Sequence, residues 1–185
     1  MTRAAEESDE ALAHRAAGSK DRVAFDLLIF RHKEPLYRFI RRYVGNNEDA
    51  YDLLQDAFLS AWMNLNRYDA GRPFLPWLRT IALNKCRDFS RRQMVRRLFL
   101  GRLAAESVLD QAASDETRTD QRLDQLDRAI AELPPFYKEP LLLTVVSGIS
   151  QQEAAELLKT TPKAIEMRLR RARKKLAQSL PPGEG

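Results

Sequence analysis

Near the C-terminal end of the 185-residue chain, Lys163, Glu166, Met167, Arg170, Arg171 and Lys174 recur at steps of one, three or four residues, against an apolar row of Ile165, Leu169, Ala172 and Leu176. On an α-helix this spacing puts the two sets on opposite faces. Cations on the outer face can neutralise phosphates, and the first turns of such a helix can reach base edges. Glu166 is the exception in sign: an acid within a phosphate-facing surface accepts from a cytosine amino group, orients an arginine, or is simply solvated. A second group, Trp77, Arg79, Asn84, Lys85, Arg87, Asp88, Arg91 and Arg92, follows a loop carrying Tyr68 and Arg72. Aromatic rings interleaved with cations suit unstacked bases, since a ring can stack while the cations follow the backbone. Trp77 and Phe89 fall on an apolar stripe and read as core, which leaves Tyr68 as the better placed ring. A third set, Glu48, Asp49, Asp52 and Asp56, has carboxylates at helical spacing that could approach a divalent ion, although no His or Lys stands close in sequence to act with them.

These groups need elements to position them. Ser150, Gln151, Gln152 and Glu153 match a capping box, so a helix starts there. Ala154, Ala155, Leu157 and Leu158 continue it, and Lys159 to Thr161 breaks it. Thr161 and Pro162 then supply an N-cap and a first-turn proline for a second helix running to about Gln178. A short helix, a tight turn and a longer basic helix make a helix-turn-helix, whose second helix enters the major groove. Upstream, Leu53, Leu54, Ala57, Phe58, Ala61 and Trp62 predict one helix, and Phe25, Leu28, Ile29, Leu36, Phe39, Ile40 and Tyr43 another. Pro35 should kink or break the latter, and Gly45 should end it. Residues 66–73 read as a loop, and Trp77, Leu78, Ile81, Ala82 and Phe89 give the inward face of a helix from about Phe74. Leu123, Leu126, Ile130 and Leu133 start a new stripe that Pro134 and Pro135 stop; Leu141 to Val146 reads as a buried helix rather than a strand, with Pro140 in its first turn. The expected architecture is all-α: a helical domain over 8–97, an acidic flexible linker over 98–119 and a helix-turn-helix domain over 120–179.

Charge supports that division. Between Arg79 and Arg97 stand seven Lys/Arg and one acid, and between Pro162 and Leu176 again seven and one, whereas Glu106 to Asp127 holds seven acids and two Arg. The pattern suggests two phosphate-facing modules joined by a segment that avoids phosphate. One Cys and two distant His allow neither an internal disulfide nor a tetrahedral zinc site. The acidic start and the short Leu141–Val146 apolar run offer no signal peptide or membrane span, so a cytoplasmic protein is expected. Cys86 lies beside core positions and reads as buried filler rather than a redox group.

Three segments, in order, resemble bacterial sigma factors of the extracytoplasmic-function group: Asp49 through Trp62; Trp77 through Asn84 with Asp88, Arg91 and Arg92; and Ile149 through Glu156 with Lys163 through Arg173. The resemblance implies that the first domain binds the clamp helices of the large subunit of core RNA polymerase and the minus-ten promoter element, and that the second binds the minus-thirty-five element. Carried over residue by residue, it assigns Asp49, Asp52, Gln55 and Asp56 to the polymerase; Tyr68, Arg72, Arg79, Asn84, Lys85, Asp88, Arg91 and Arg92 to the minus-ten DNA; and Lys163, Glu166, Met167, Arg168, Arg170, Arg171 and Lys174 to the upstream duplex. It further implies an acidic linker lying toward the RNA path, an anti-sigma partner, no catalysis, and no cofactor or metal. Pro73 and Pro76 stiffen the approach to Trp77, and Pro162–Lys163 departs from the small or aliphatic start usual in the family. Two rivals stand beside this reading. A stand-alone helix-turn-helix regulator would give the 84–92 polar set no task, and a helical metal-dependent enzyme would need the Glu48–Asp56 carboxylates to converge.

Overall fold

A computed structural model describes residues 7–100 and 118–180. Among them are eight α-helices and no strand, in the order α1 (Asp9–Ser19), α2 (Arg22–Val44), α3 (Asn47–Asn64), a 3-10 turn (Leu65–Arg67), α4 (Phe74–Leu100), α5 (Arg118–Glu132), α6 (Pro135–Leu141), a π turn (Leu142–Val146), α7 (Gln151–Leu157) and α8 (Pro162–Ser179). Residues 101–117, most of the expected linker, lie outside the described residues. Its two ends are helical: 98–100 complete α4, and 118–119 begin α5.

The first bundle is α1 to α4. No apolar stripe announces a helix at 9–19, but Ser8 caps one by accepting from the Ala11 N–H at 3.2 Å, and Asp9 and Glu10 place negative charge at its positive end. Leu12, Ala13 and Ala16 are its buried face. Asp9 then ties α1 to α2 through Arg31 at 2.7 Å and His32 at 2.6 Å. Helix α2 runs through Pro35 without the break that was one of the two expected outcomes. Its buried row of Phe25, Leu28, His32, Leu36, Phe39, Ile40 and Tyr43 continues on both sides of the proline. Packing of that row offsets the lost hydrogen bond and ring clash, a cost of about 3 kcal/mol. Gly45 ends the helix at φ 93°, its N–H donating to the Arg41 carbonyl.

The second bundle is α5 to α8. Pro135, not Pro140, occupies the first turn of α6, where its fixed φ is already helical. Pro140 lies inside the helix, fully buried, and the backbone beyond it widens into the π turn, with the Ser147 N–H reaching back to the Leu142 carbonyl at 3.0 Å. Leu141, Leu142 and Leu143 are buried there, as the run's apolarity suggested, whereas Val145 is turned to solvent, so only the first half of the run is core.

The bundles pack on each other. Arg42 pairs with Asp127 at 2.8 Å, the Lys138 ammonium donates to the Tyr43 carbonyl at 2.9 Å, and a Cβ at Gly45 would lie 2.9 Å from that of Ala131. At Gly148, also left-handed at φ 66°, a Cβ would meet nothing within 4 Å. Gly148→Ala should therefore cost about 1 kcal/mol for backbone strain alone, and Gly45→Ala about 2–3 kcal/mol once the clash is added. Thermal unfolding midpoints of the two variants check this; equal losses would mean that α5 does not rest on the end of α2.

Candidate nucleic-acid interface

Helix α8 carries the most open of the expected surfaces. The Ser150 hydroxyl accepts from the Glu153 N–H at 3.1 Å while the Glu153 carboxylate accepts from the Ser150 N–H at 2.8 Å, so the capping box expected for α7 is complete. The Ser150 N–H and hydroxyl, both donating to that carboxylate, hold the Glu153 carboxyl below its ordinary range. Lys159 turns the chain at φ 51°, Thr161 caps α8 by accepting from the Ala164 N–H, and Pro162 fills the first turn. Ile165, Leu169, Ala172 and Leu176 are buried, which turns Lys163, Glu166, Met167, Arg170, Arg171 and Lys174 to solvent on one face. Lys163 and Glu166 pair with each other at 2.8 Å, and the ammonium holds the Glu166 carboxyl low. Thus Glu166 orients a cation of its own face.

Arg168 faces elsewhere. Its guanidinium lies 4.0 Å above the Phe136 ring, and Nη2 donates to the Thr160 hydroxyl at 3.4 Å. Its buried Nε has no partner in the fold. Set one position past the outer row, Arg168 packs α8 against α6, and the cation–π contact contributes where a base contact had been expected.

On α4, Phe74, Leu78, Ala82, Leu83 and Cys86 are buried, while Asn84, Arg91 and Arg92 are exposed and Lys85 and Asp88 half-exposed. Asp88 pairs with Arg91. Between α3 and α4 lies a polar cleft lined by Asn64, Arg67, Trp77, Asn84, Lys85 and Asp88. Trp77 is half-buried, so one part of its ring serves the core and another the cleft. Asn64 and Arg67 had not been singled out from the sequence; they enter only because the 3-10 turn brings the end of α3 opposite α4.

Tyr68 is placed otherwise than expected. Its ring packs edge-on to Phe74, centroids 5.5 Å apart, and against Trp77 at 5.3 Å, and its hydroxyl donates to the Arg72 carbonyl. Burial pushes the phenol up to about 12. Tyr68 therefore props the loop and Trp77 rather than standing free. Arg72 is exposed, loosely paired with Asp69 at 3.4 Å. Arg79 points out of the open face altogether: it is half-buried, depressed in pKa by desolvation, and its Nη2 donates to the Ser147 carbonyl in the other bundle at 2.8 Å.

The acidic row of α3 is open. Asp52, Gln55 and Asp56 are exposed, whereas Asp49 is half-buried and held by Asn46 in the first turn. The carboxylates are strung along one helix, and among the described residues no three His, Cys, Asp or Glu side chains gather as a metal site. Two apolar residues complete the same row, Leu59 at 58% and Met63 at 70% exposure, beside a groove lined by Phe25, Ile29, Phe58 and Trp62. Their signal in the sequence was an aliphatic pair continuing a polar stripe, a pattern that marks a contact face.

Comparison with known proteins follows this geometry. Residues 28–96 match sigma-70 region 2 and residues 123–176 match sigma-70 region 4. The RNA polymerase sigma factor NccH of Alcaligenes xylosoxydans xylosoxydans is 36% identical over 176 residues, covering 93% of this chain and 94% of that protein. The extracytoplasmic-function sigma factor SigM of Mycobacterium tuberculosis is 35% identical over 95% of this chain and 86% of its own. The sigma factor CnrH of Cupriavidus metallidurans is 36% identical over 183 residues, 95% of each chain. The solved structure of CnrH in complex with the cytosolic domain of CnrY superposes with a TM-score of 0.71, at 32% identity over 93% of this chain and 96% of that one.

Cys86 is fully buried in α4, and desolvation raises its thiol to about 12. Because the thiolate is the nucleophile, Cys86 in the native protein should react with a disulfide reagent at pH 8 roughly a thousandfold more slowly than in urea. Thiolate release followed by absorbance checks this, and fast native labelling would show an accessible, reactive thiol.

Proposed function

The chain belongs to the RNA polymerase sigma factors of the sigma-70 family, in their extracytoplasmic-function group, and from that premise we propose how its residues divide the work. The first bundle, α1 to α4, binds core RNA polymerase through the outer row of α3. Asp52, Gln55 and Asp56 meet basic groups of the clamp helices, with Leu59 and Met63 as the apolar part of that contact and Asp49 fixing the start of α3. The polar face of α4, with Asn84, Lys85, Asp88, Arg91 and Arg92, receives the minus-ten strand. An unstacked base enters the cleft between Asn64 and Trp77, while Tyr68 and Arg72 shape the loop beside it. The second bundle reads the minus-thirty-five duplex with Lys163, Glu166, Met167, Arg170, Arg171 and Lys174; Arg168 sets the pose of α8. A protein partner that covers these faces, as an anti-sigma factor does, would hold the factor inactive inside the cell.

The mechanism is differential binding rather than a reaction of the chain's own. Upstream contacts fix register, and capture of unpaired bases lowers the free energy of the open strand relative to the duplex. Two tethered modules gain from each other only when their spacing matches the promoter, and the polymerase supplies that spacing. The observation that carries this reading is α8. Six side chains expected to face DNA stand on one exposed face, and among the described residues none of their hydrogen bonds or ion pairs reaches the rest of the fold; only Lys163 and Glu166 pair, with each other.

Run-off transcription with core polymerase tests it. Arg171→Ala should lower promoter-directed product roughly tenfold or more, the loss expected for one base or phosphate contact, and leave binding to core polymerase unchanged. Asp52→Ala should weaken core binding by several-fold through a lost complementary charge, about 1 kcal/mol. Tight promoter binding by the free chain, unaltered by polymerase, would favour a stand-alone regulator and overturn this reading.

A further inference from the structure

Phe74 opens α4, is fully buried, and is the residue on which one end of the proposed base cleft leans. Its ring meets Tyr68 edge-on, centroids 5.5 Å apart, and Trp77 at 5.6 Å, so the ring that props the loop and the ring that lines the cleft both rest against it. Two acids of α1 hold Phe74 in turn. The Glu10 carboxylate accepts from the Phe74 N–H at 3.1 Å. Asp9, 2.6 Å from His32 Nε2, steadies an imidazole whose centre lies 5.9 Å from that of the Phe74 ring. No residue nearby in sequence offers such support. The start of α4 reads Pro73, Phe74, Leu75, Pro76, without a side-chain oxygen, and Asp69 is engaged within its own loop by the Gly71 N–H at 3.0 Å and by Arg72. A helix start leaves backbone donors without partners and favours a negative charge beside them. Here both needs are met from 64 positions away.

We propose that Glu10 is a positioning residue for base capture: by capping α4 across the bundle it fixes Phe74, and through it Tyr68 and Trp77, and so holds the wall of the cleft that receives the unpaired base. This rests on reading the cleft between α3 and α4 as the base site. Glu10 is half-buried on the far side of Phe74 and acts only through that amide. A helix end without its cap frays over its first turn, and that turn carries Trp77. A wall that moves must be ordered on binding, so loss of the cap weakens the hold on a base. Phosphate contacts of Arg91 and Arg92, farther along α4, are left as they were.

Two measurements separate the cap from its consequence. Amide hydrogen exchange on the full chain without polymerase reads the cap: Glu10→Ala should speed exchange across residues 65–77 roughly fivefold or more and leave α8 unchanged. Forked minus-ten oligonucleotides bound by the reconstituted polymerase read the consequence. The wild type should bind a fork carrying the unpaired base more tightly than one with an abasic site in its place. Glu10→Ala should shrink that ratio roughly fivefold, with affinity for the abasic fork and for core polymerase unchanged. Glu10→Gln, which keeps an accepting oxygen, should hold the ratio within about twofold of the wild type. Unchanged exchange or an unchanged ratio in Glu10→Ala overturns the proposal, as does an equal loss on both forks, which would make Glu10 a fold residue only. A Glu10→Gln chain as impaired as Glu10→Ala overturns it too. Should Glu10→Ala lose helix content by circular dichroism, Pro73→Ser is added to give α4 a cap of its own; the double variant should regain the wild-type ratio, and no regain counts against the proposal. A wild type that does not distinguish the two forks would sink the reading of the cleft, while exchange still decides whether Glu10 holds the loop.

Discussion

Everything that faces outward from the first bundle is set by what α4 turns inward. Phe74, Leu78, Ala82, Leu83 and Cys86 are each at most 2% exposed, and they bury α4 against α1, α2 and α3. Once that stripe is fixed, helical geometry leaves no choice about the rest: Asn84, Arg91 and Arg92 must look out, Lys85 and Asp88 must border the cleft, and Arg79 and Arg87 must lie on a flank. The start of the stripe is secured from a distance, because the Phe74 N–H donates to Glu10 of α1 at 3.1 Å. The face of α4 proposed to receive nucleic acid is thus positioned by apolar contacts on the other, and α8, the proposed recognition helix, repeats the same arrangement with Ile165, Leu169, Ala172 and Leu176.

The seam between the bundles follows a different physics. It is built from Arg42 with Asp127, Arg87 with Glu139, and Lys138 on the Tyr43 carbonyl and 4.8 Å from the Tyr43 ring centroid. Burial lowers the Lys138 ammonium to about 8 and raises the Tyr43 phenol. Both shifts mark a site where charge is held out of water. Such contacts specify one register between two bundles more than they stabilise it.

Much of this was legible in the sequence because amphipathic helices announce themselves. The stripes of α2, α3 and α8, the Ser150 capping box and the Thr161–Pro162 start lie where the residue pattern put them, while on α4 Leu78 and Ala82 are buried as expected, Trp77, Ile81 and Phe89 only half-buried, and Leu83 and Cys86 complete the buried face. What could not be read depended on distance in the chain. Tyr68 looked free because the sequence does not say that Phe74 and Trp77 fold back beneath it. Arg79 and Arg168 looked like surface cations because composition does not reveal a carbonyl or an aromatic ring brought from 68 or 32 positions away. Pro35 suggested a kink or a break, and no break occurs, because local propensity counts its lost hydrogen bond and not the buried row that spans it. In each case a tertiary contact overrode a local preference.

In the proposed division of labour, α3 holds the polymerase, α8 finds the site and the cleft of α4 keeps the strands apart. Transcription from a template whose minus-ten region is already mismatched and open separates these tasks most directly. Asn84→Ala should be defective on duplex promoter and recover on the pre-opened template, because only opening was lost, whereas Asp52→Ala should stay defective on both. Recovery of Asp52→Ala, or failure of Asn84→Ala to recover, would contradict the account.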